Sequence, residues 1–235
     1  MSEPDDLDEV VRQADPDRWL AARFIADPAA RADVVALYAF NHELARAAEV
    51  ASQPLVGEIR LSWWREAVQE IAAGASLRRH PLVLALADGA ARGRLDPARL
   101  EALADARLRD LDGWPLGERE AEAYADATAG ALMAQAVLAL APDADPQATR
   151  QAGRAWGLAG LLRLGRLPPV WREREGRQRI DAALAAAHQE LKRLPVAAFP
   201  AAGYATLARS YGRGGRPSEL AKRARLTWAV LRGRL

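Results

Sequence analysis

From Val34 to Ile71 the chain reads VVALYAFNHELARAAEVASQPLVGEIRLSWWREAVQEI, and two helical periods run through it. Before the break at Ser52-Gln53-Pro54, Val34, Leu37, Tyr38, Leu44 and Ala45 recur three and four residues apart. That spacing gathers apolar side chains on one face of an α-helix. His42, Arg46 and Glu49 share another side of the same helix. After the break, Ile59, Leu61, Trp63, Trp64, Val68 and Ile71 alternate with Glu58, Arg60, Arg65, Glu66 and Glu70. Polar groups set in so apolar a run form either a solvated face or the wall of a site.

The same reading places helices along the rest of the chain. Asp15-Pro16 and Asp27-Pro28 each pair an N-cap with proline at the first helical position, and predict helices over 17–26 and 29–51. Pro54 opens a third, to Ala73, stopped by Gly74; His80-Pro81 opens another, ending near Gly93; Asp96-Pro97 caps one that reaches Leu111. After a turn at Gly113-Trp114-Pro115 comes the longest pattern, Glu118 to Ala141, acidic at its start as the helix dipole favours. Residues 147–164 form a helix crossed by Gly153, Gly157 and Gly160, each costing about 1 kcal/mol against alanine. Three such glycines imply either close helix packing or a ligand against the backbone. Helices over 175–194 and 200–211 follow. A glycine-rich basic loop then leads to a last basic helix from Ser218.

Composition sharpens this into an all-α class. Half of the 235 residues are hydrophobic but only 6% are aromatic, and no window alternates with the period of a strand. One domain over 1–235 is the simplest organisation. The net charge of +2 gives no argument for a nucleic-acid partner. Cysteine is absent, so disulfides, thiolate nucleophiles and zinc–sulfur sites are excluded. The acidic start MSEPDDLDEV does not read as a signal peptide, and the apolar stretches 129–141 and 155–162 fall short of the roughly 18 residues a spanning helix needs. The expected location is cytoplasmic.

Few residues carry recognisable chemistry. Two adjacent tryptophans point about 100° apart on a helix, so Trp63 and Trp64 cannot share one seam; one packs inward and the other lines a cavity or partner surface. Arg60 and Arg65 flank them and can meet an anion. Asp105 and Asp110, interleaved with Arg107 and Arg109, read as a solvated face with local ion pairs or as an acidic cluster. The three histidines lack ligand spacing, and no metal site is expected.

The stretches ALYAFNHELARAAE, GEIRLSWWREAVQEI, RRHPLVLAL, DARLRDLD, AYADATAGALM and AWGLAGLLR resemble, in this order from about Asp15 to Pro168, the squalene/phytoene synthase family. The resemblance implies the single-domain all-α isoprenoid synthase bundle with a central cavity, and 169–235 as divergent C-terminal helices. It also implies enzymes that join prenyl diphosphates using magnesium held by two aspartate-rich motifs. Here the four motif positions fall on Ala45, Glu49, Leu164 and Pro168, so one acid of four survives.

That departure resembles a branch of the family whose mitochondrial representative is an assembly factor for respiratory complex I. The expected protein is therefore a non-catalytic or divergent member, without cofactor, acting as a helical scaffold or as a binder of a prenyl diphosphate or lipid-like ligand. A protein partner in respiratory-complex assembly would follow. Asn41, Arg60, Trp64, Arg65 and Arg163 are the candidate ligand-binding residues. The alternative is an active prenyltransferase using magnesium and leaning on Glu49, Asp105 and Asp110. A third reading is an interaction module whose basic C-terminal helix, with Arg223, Arg225, Trp228, Leu231, Arg232 and Arg234, touches a partner or the periphery of the inner membrane.

Overall fold

A computed structural model describes residues 6–49, 53–171 and 173–235, and all regular structure among them is helical. Internal contacts gather the chain into two compact units, Met1–Gly113 and Trp114–Leu235.

The first unit holds α1 (Leu7–Ala14), α2 (Pro16–Ala22), α3 (Pro28–Glu49), α4 (Pro54–Ala73), α5 (Pro81–Ala91) and α6 (Pro97–Ala106), followed by a 3-10 turn, Arg107–Leu111. Five of the helices open as the Xaa-Pro pairs predict, α3 among them with the Ala29 amide donating to the Asp27 carboxylate. The Asp15 carboxylate accepts from the Arg18 amide, His80 Nδ1 from Leu82 and Asp96 from Ala98, while Gln53 precedes Pro54 without a side-chain cap. Gly74 closes α4 at φ +62°, a conformation other side chains resist. The sequence pattern missed α1, whose short amphipathic run packs Val11 against α3 behind an Asp6 cap. The predicted end of α3 at residue 51 lies outside the described residues.

In α3 every residue from Asp33 to Phe40 is buried, because α1, α2, α4 and α5 cover it from several sides. Asp33 is the one charge in that run, at 1% exposed, and Arg92 satisfies it with two guanidinium bonds, one of them 3.2 Å long. A charge this deep persists only with such a partner.

The second unit is built on Glu118–Leu140, a continuous path of α7 (Glu118–Ala125), a π turn (Asp126–Gly130) and α8 (Ala131–Leu140). By length and composition alone this helix is long and apolar enough to cross a membrane. However, 61% of its apolar window is buried inside the protein, as for a core helix. Against it lies α9 (Arg150–Arg163), which also packs on α10 (Glu173–Glu190). The helix predicted over 200–211 is three short pieces: α11 (Pro200–Gly203), a 3-10 turn (Tyr204–Leu207) and α12 (Ala208–Gly212). The last helix, α13 (Glu219–Arg232), is capped by Ser218 Oγ as expected and ends at Gly233 with φ +60°.

Close packing explains two of the three glycines in α9. A Cβ on Gly153 would lie 2.5 Å from the Gly130 Cα, and one on Gly157 would lie 2.7 Å from the Ala125 Cβ. At Gly160 nothing comes within 4 Å.

Candidate functional site

In the first unit, α3 and α4 meet along the face that carries the tryptophan pair. Trp64 is the inward ring: 5% exposed, it sits edge-on to Phe40 at 5.6 Å and to His80 at 5.2 Å. Trp63 is half-buried, edge-on to Trp64 at 4.8 Å, with the Arg78 guanidinium 4.8 Å above its ring. Arg78 is itself fixed by Glu70 and Glu66. Both tryptophans, with Arg60, Glu43 and Ala47, line a cavity of about 80 Å³. A space of this size admits water-sized groups and does not enclose a prenyl chain.

The other candidate residues of this unit fall into two groups. Arg107 donates to Asn41 Oδ1 at 3.0 Å and lies 3.3 Å from the Asp110 carboxylate, so it joins two predicted residues that the sequence did not connect. Arg65 pairs with Asp105 at 3.4 Å and Glu101 at 3.1 Å in an exposed cluster. There Glu101 is held below the usual carboxylate range, first by the Gln69 amide and then by Arg65. Glu49 is exposed at the end of α3.

In the second unit the YADATAG stretch forms the π turn, pinned by the Thr128 hydroxyl donating to the Tyr124 carbonyl at 2.7 Å. Such turns interrupt a helix where a side chain or a neighbour demands it. Here the turn starts at Asp126, which takes two bonds from Arg154, one at 2.8 Å, and a 3.3 Å contact from Arg150. Glu122 meets Arg154 at 3.5 Å and Arg179 at 2.9 Å. The bond to Asp126 holds the Arg154 guanidinium still more firmly protonated than usual. The sequence signal for this network was two i, i+4 ladders of opposite sign, Glu122/Asp126 and Arg150/Arg154. It went unread because the two ladders lie more than twenty residues apart. Arg163 is exposed, with its guanidinium 5.2 Å from the Tyr211 ring.

These bonds support a stability prediction. Asp126→Ala is expected to cost about 1–2 kcal/mol in urea unfolding, since Arg154 loses a bidentate, largely buried partner. Arg177→Ala, which removes an exposed pair with Glu173, should change stability by less than about 0.5 kcal/mol.

A magnesium–diphosphate group needs several converging carboxylates. At the motif positions stand Ala45, exposed Glu49, half-exposed Leu164 and buried Pro168. Among the described residues no three His, Asp or Glu side chains converge to hold a metal ion. The residues present do not fit that group.

The squalene/phytoene synthase family model matches residues 11–166, two thirds of the chain. The chain belongs to the squalene/phytoene synthase family. Two curated relatives match: complex I assembly factor 6 from Homo sapiens, 28% identical over 159 residues, and its Rattus norvegicus counterpart, 28% over 158. Each match covers 66% of this chain, which spans only 47% of those relatives' length. Among solved structures, a dehydrosqualene synthase crystallised with a ligand superposes with a TM-score of 0.76 at 14% identity, covering 96% of this chain and 94% of that one. The squalene synthase HpnC from Alicyclobacillus acidocaldarius gives 0.67 at 16% identity, with 97% and 92% covered. This squalene/phytoene synthase family member thus has the all-α isoprenoid synthase fold.

Proposed function

We propose that this chain is a non-catalytic member of the squalene/phytoene synthase family, a helical scaffold of the assembly-factor kind that can also hold a prenyl or other lipid-like molecule without magnesium. The observation that carries this reading is the state of its acids. Three of the four motif positions have lost their carboxylate, and the acids in the neighbouring segments are engaged by guanidinium groups: Asp110 by Arg107, Asp105 by Arg65, Asp126 by Arg154. Arginine supplies the positive charge that a divalent cation would otherwise bring, and a carboxylate bonded in this way has fewer lone pairs left for a metal. The likeness to complex I assembly factor 6 favours a scaffold with a protein partner over an enzyme. For an anionic head group, Arg60 beside the tryptophan pair is the candidate contact.

Calorimetric titration with farnesyl and geranylgeranyl diphosphate, with and without magnesium, tests this. Binding indifferent to magnesium and no pyrophosphate release are expected. Arg60→Ala should weaken that binding about tenfold, the effect of one lost charge-assisted contact. Magnesium-dependent turnover would overturn the reading and restore the prenyltransferase.

A further inference from the structure

The last helix is amphipathic in the inverted sense. Its inner side seats Leu226 and Ala229, 0% and 2% exposed, on the turn Tyr204–Leu207 and α11. At 100° per residue, the direction opposite those two is occupied by Leu220, Ala224 and Leu231, with Trp228 beside them. Leu220 is 79% exposed, Leu231 77% and Trp228 58%. A helix lying on a water-facing surface carries polar residues there. Here the arginines stand on the shoulders: Arg223 on one side, Arg225 and Arg232 on the other.

The charge around this ridge has one sign. Residues 212–235 hold seven of the chain's 33 Lys and Arg and one of its 31 Asp and Glu, so this segment is strongly basic while the rest is net acidic. The single acid, Glu219, is paired with Lys222 at 2.9 Å. The Arg232 guanidinium carbon sits over the Trp228 ring at 3.9 Å, and Arg225 donates to Ser210 Oγ. Beneath that shoulder, Arg225, Arg232, Arg234, His188 and Thr206 line an open cavity of about 270 Å³.

We propose that α13 docks this protein on an anionic lipid surface. Leu220, Leu231 and Trp228 enter the acyl boundary, and the arginines on both shoulders meet phosphate head groups, one of which the 270 Å³ cavity can receive. Each part of the geometry has its reason. Arginine stems lie along apolar surface while their heads stay at the polar level, and tryptophan favours that same interface. A protein partner would need an acidic apolar groove to match both features, whereas an anionic bilayer supplies them in a plane.

Co-sedimentation of the full chain with phosphatidylcholine vesicles, with and without phosphatidylglycerol, tests the proposal. Wild type should pellet with the anionic vesicles and far less with the neutral ones, and added salt should release it. Arg223→Gln with Arg232→Gln should weaken partitioning on the order of 30-fold, about fivefold per charge. Leu220→Ser with Leu231→Ser should lower it on both vesicle types. These side chains are exposed, so the thermal midpoint of each variant should stay at the wild-type value. Wild type left in solution with anionic vesicles would overturn the proposal and assign the ridge to a protein partner. Variants that pellet like wild type would overturn it too.

Discussion

Trp64→Ala is expected to destabilise the protein by about 3–5 kcal/mol, one of the two largest effects of any single substitution considered. The ring is 5% exposed and lies edge-on to Phe40, Trp63 and His80, so truncation removes its own buried area and opens a cavity that three rigid rings cannot fill. Edge-to-face aromatic pairs add about 0.5–1.5 kcal/mol each beyond that area. Trp63→Ala should cost far less, about 1 kcal/mol, because its ring is only half-buried, with the Arg78 guanidinium over it, and truncation there opens the site to water without leaving a closed cavity. Urea unfolding of the two variants measures the difference directly. Since whole domains are stable by about 5–15 kcal/mol, Trp64→Ala should shift the midpoint strongly. A loss at Trp64 no larger than at Trp63 would mean that the ring faces a site and not the core.

That contrast also shows where the sequence could be read and where it could not. Adjacent tryptophans on a helix must diverge, so the sequence implies that one is inward; which one depends on α3 and α6 packing against α4, a tertiary fact. Helix starts were legible because Asp-Pro and His-Pro act locally, through a cap and a preset φ. Helix ends were less so. Residues 107–111 tighten into a 3-10 turn and 200–211 breaks into three pieces, although their apolar spacing reads as continuous. The run 200–211 is buried nearly throughout, and a helix apolar all round carries no periodicity from which to place its breaks.

The candidate site was legible mainly through what it lacks. Ala45, Leu164 and Pro168 stand at positions where the family's motifs carry acids, and that could be read from residue identity alone. What the remaining acids do could not. Arg107 reaches Asn41 across 66 residues of chain, and Arg154 reaches Asp126 across 28. Charges this far apart in sequence become partners only after the helices pack. An interleaved Asp/Arg stretch such as 105–112 looks the same whether its arginines turn to solvent or to a neighbouring helix.

Gly153→Ala is expected to cost about 3 kcal/mol, against the intrinsic preference of helices for alanine, which alone would give a gain of about 1 kcal/mol. The added methyl would stand 2.5 Å from the Gly130 Cα and 3.1 Å from its amide nitrogen, where ordinary carbon contacts need roughly 3.5–4.0 Å. Both opposing atoms are backbone, so no rotamer change relieves the clash; α9 must move off the π turn. That movement would loosen the bonds from Arg150 and Arg154 to Asp126, which span the same crossing. Gly160→Ala provides the internal control. It lies in the same helix with nothing within 4 Å of the new methyl, and should stabilise by up to about 1 kcal/mol. Opposite signs at Gly153 and Gly160 in urea unfolding would assign the need for glycine at position 153 to one crossing point, since propensity acts equally at both. Equal signs would remove the close contact from the account of why Gly153 is there.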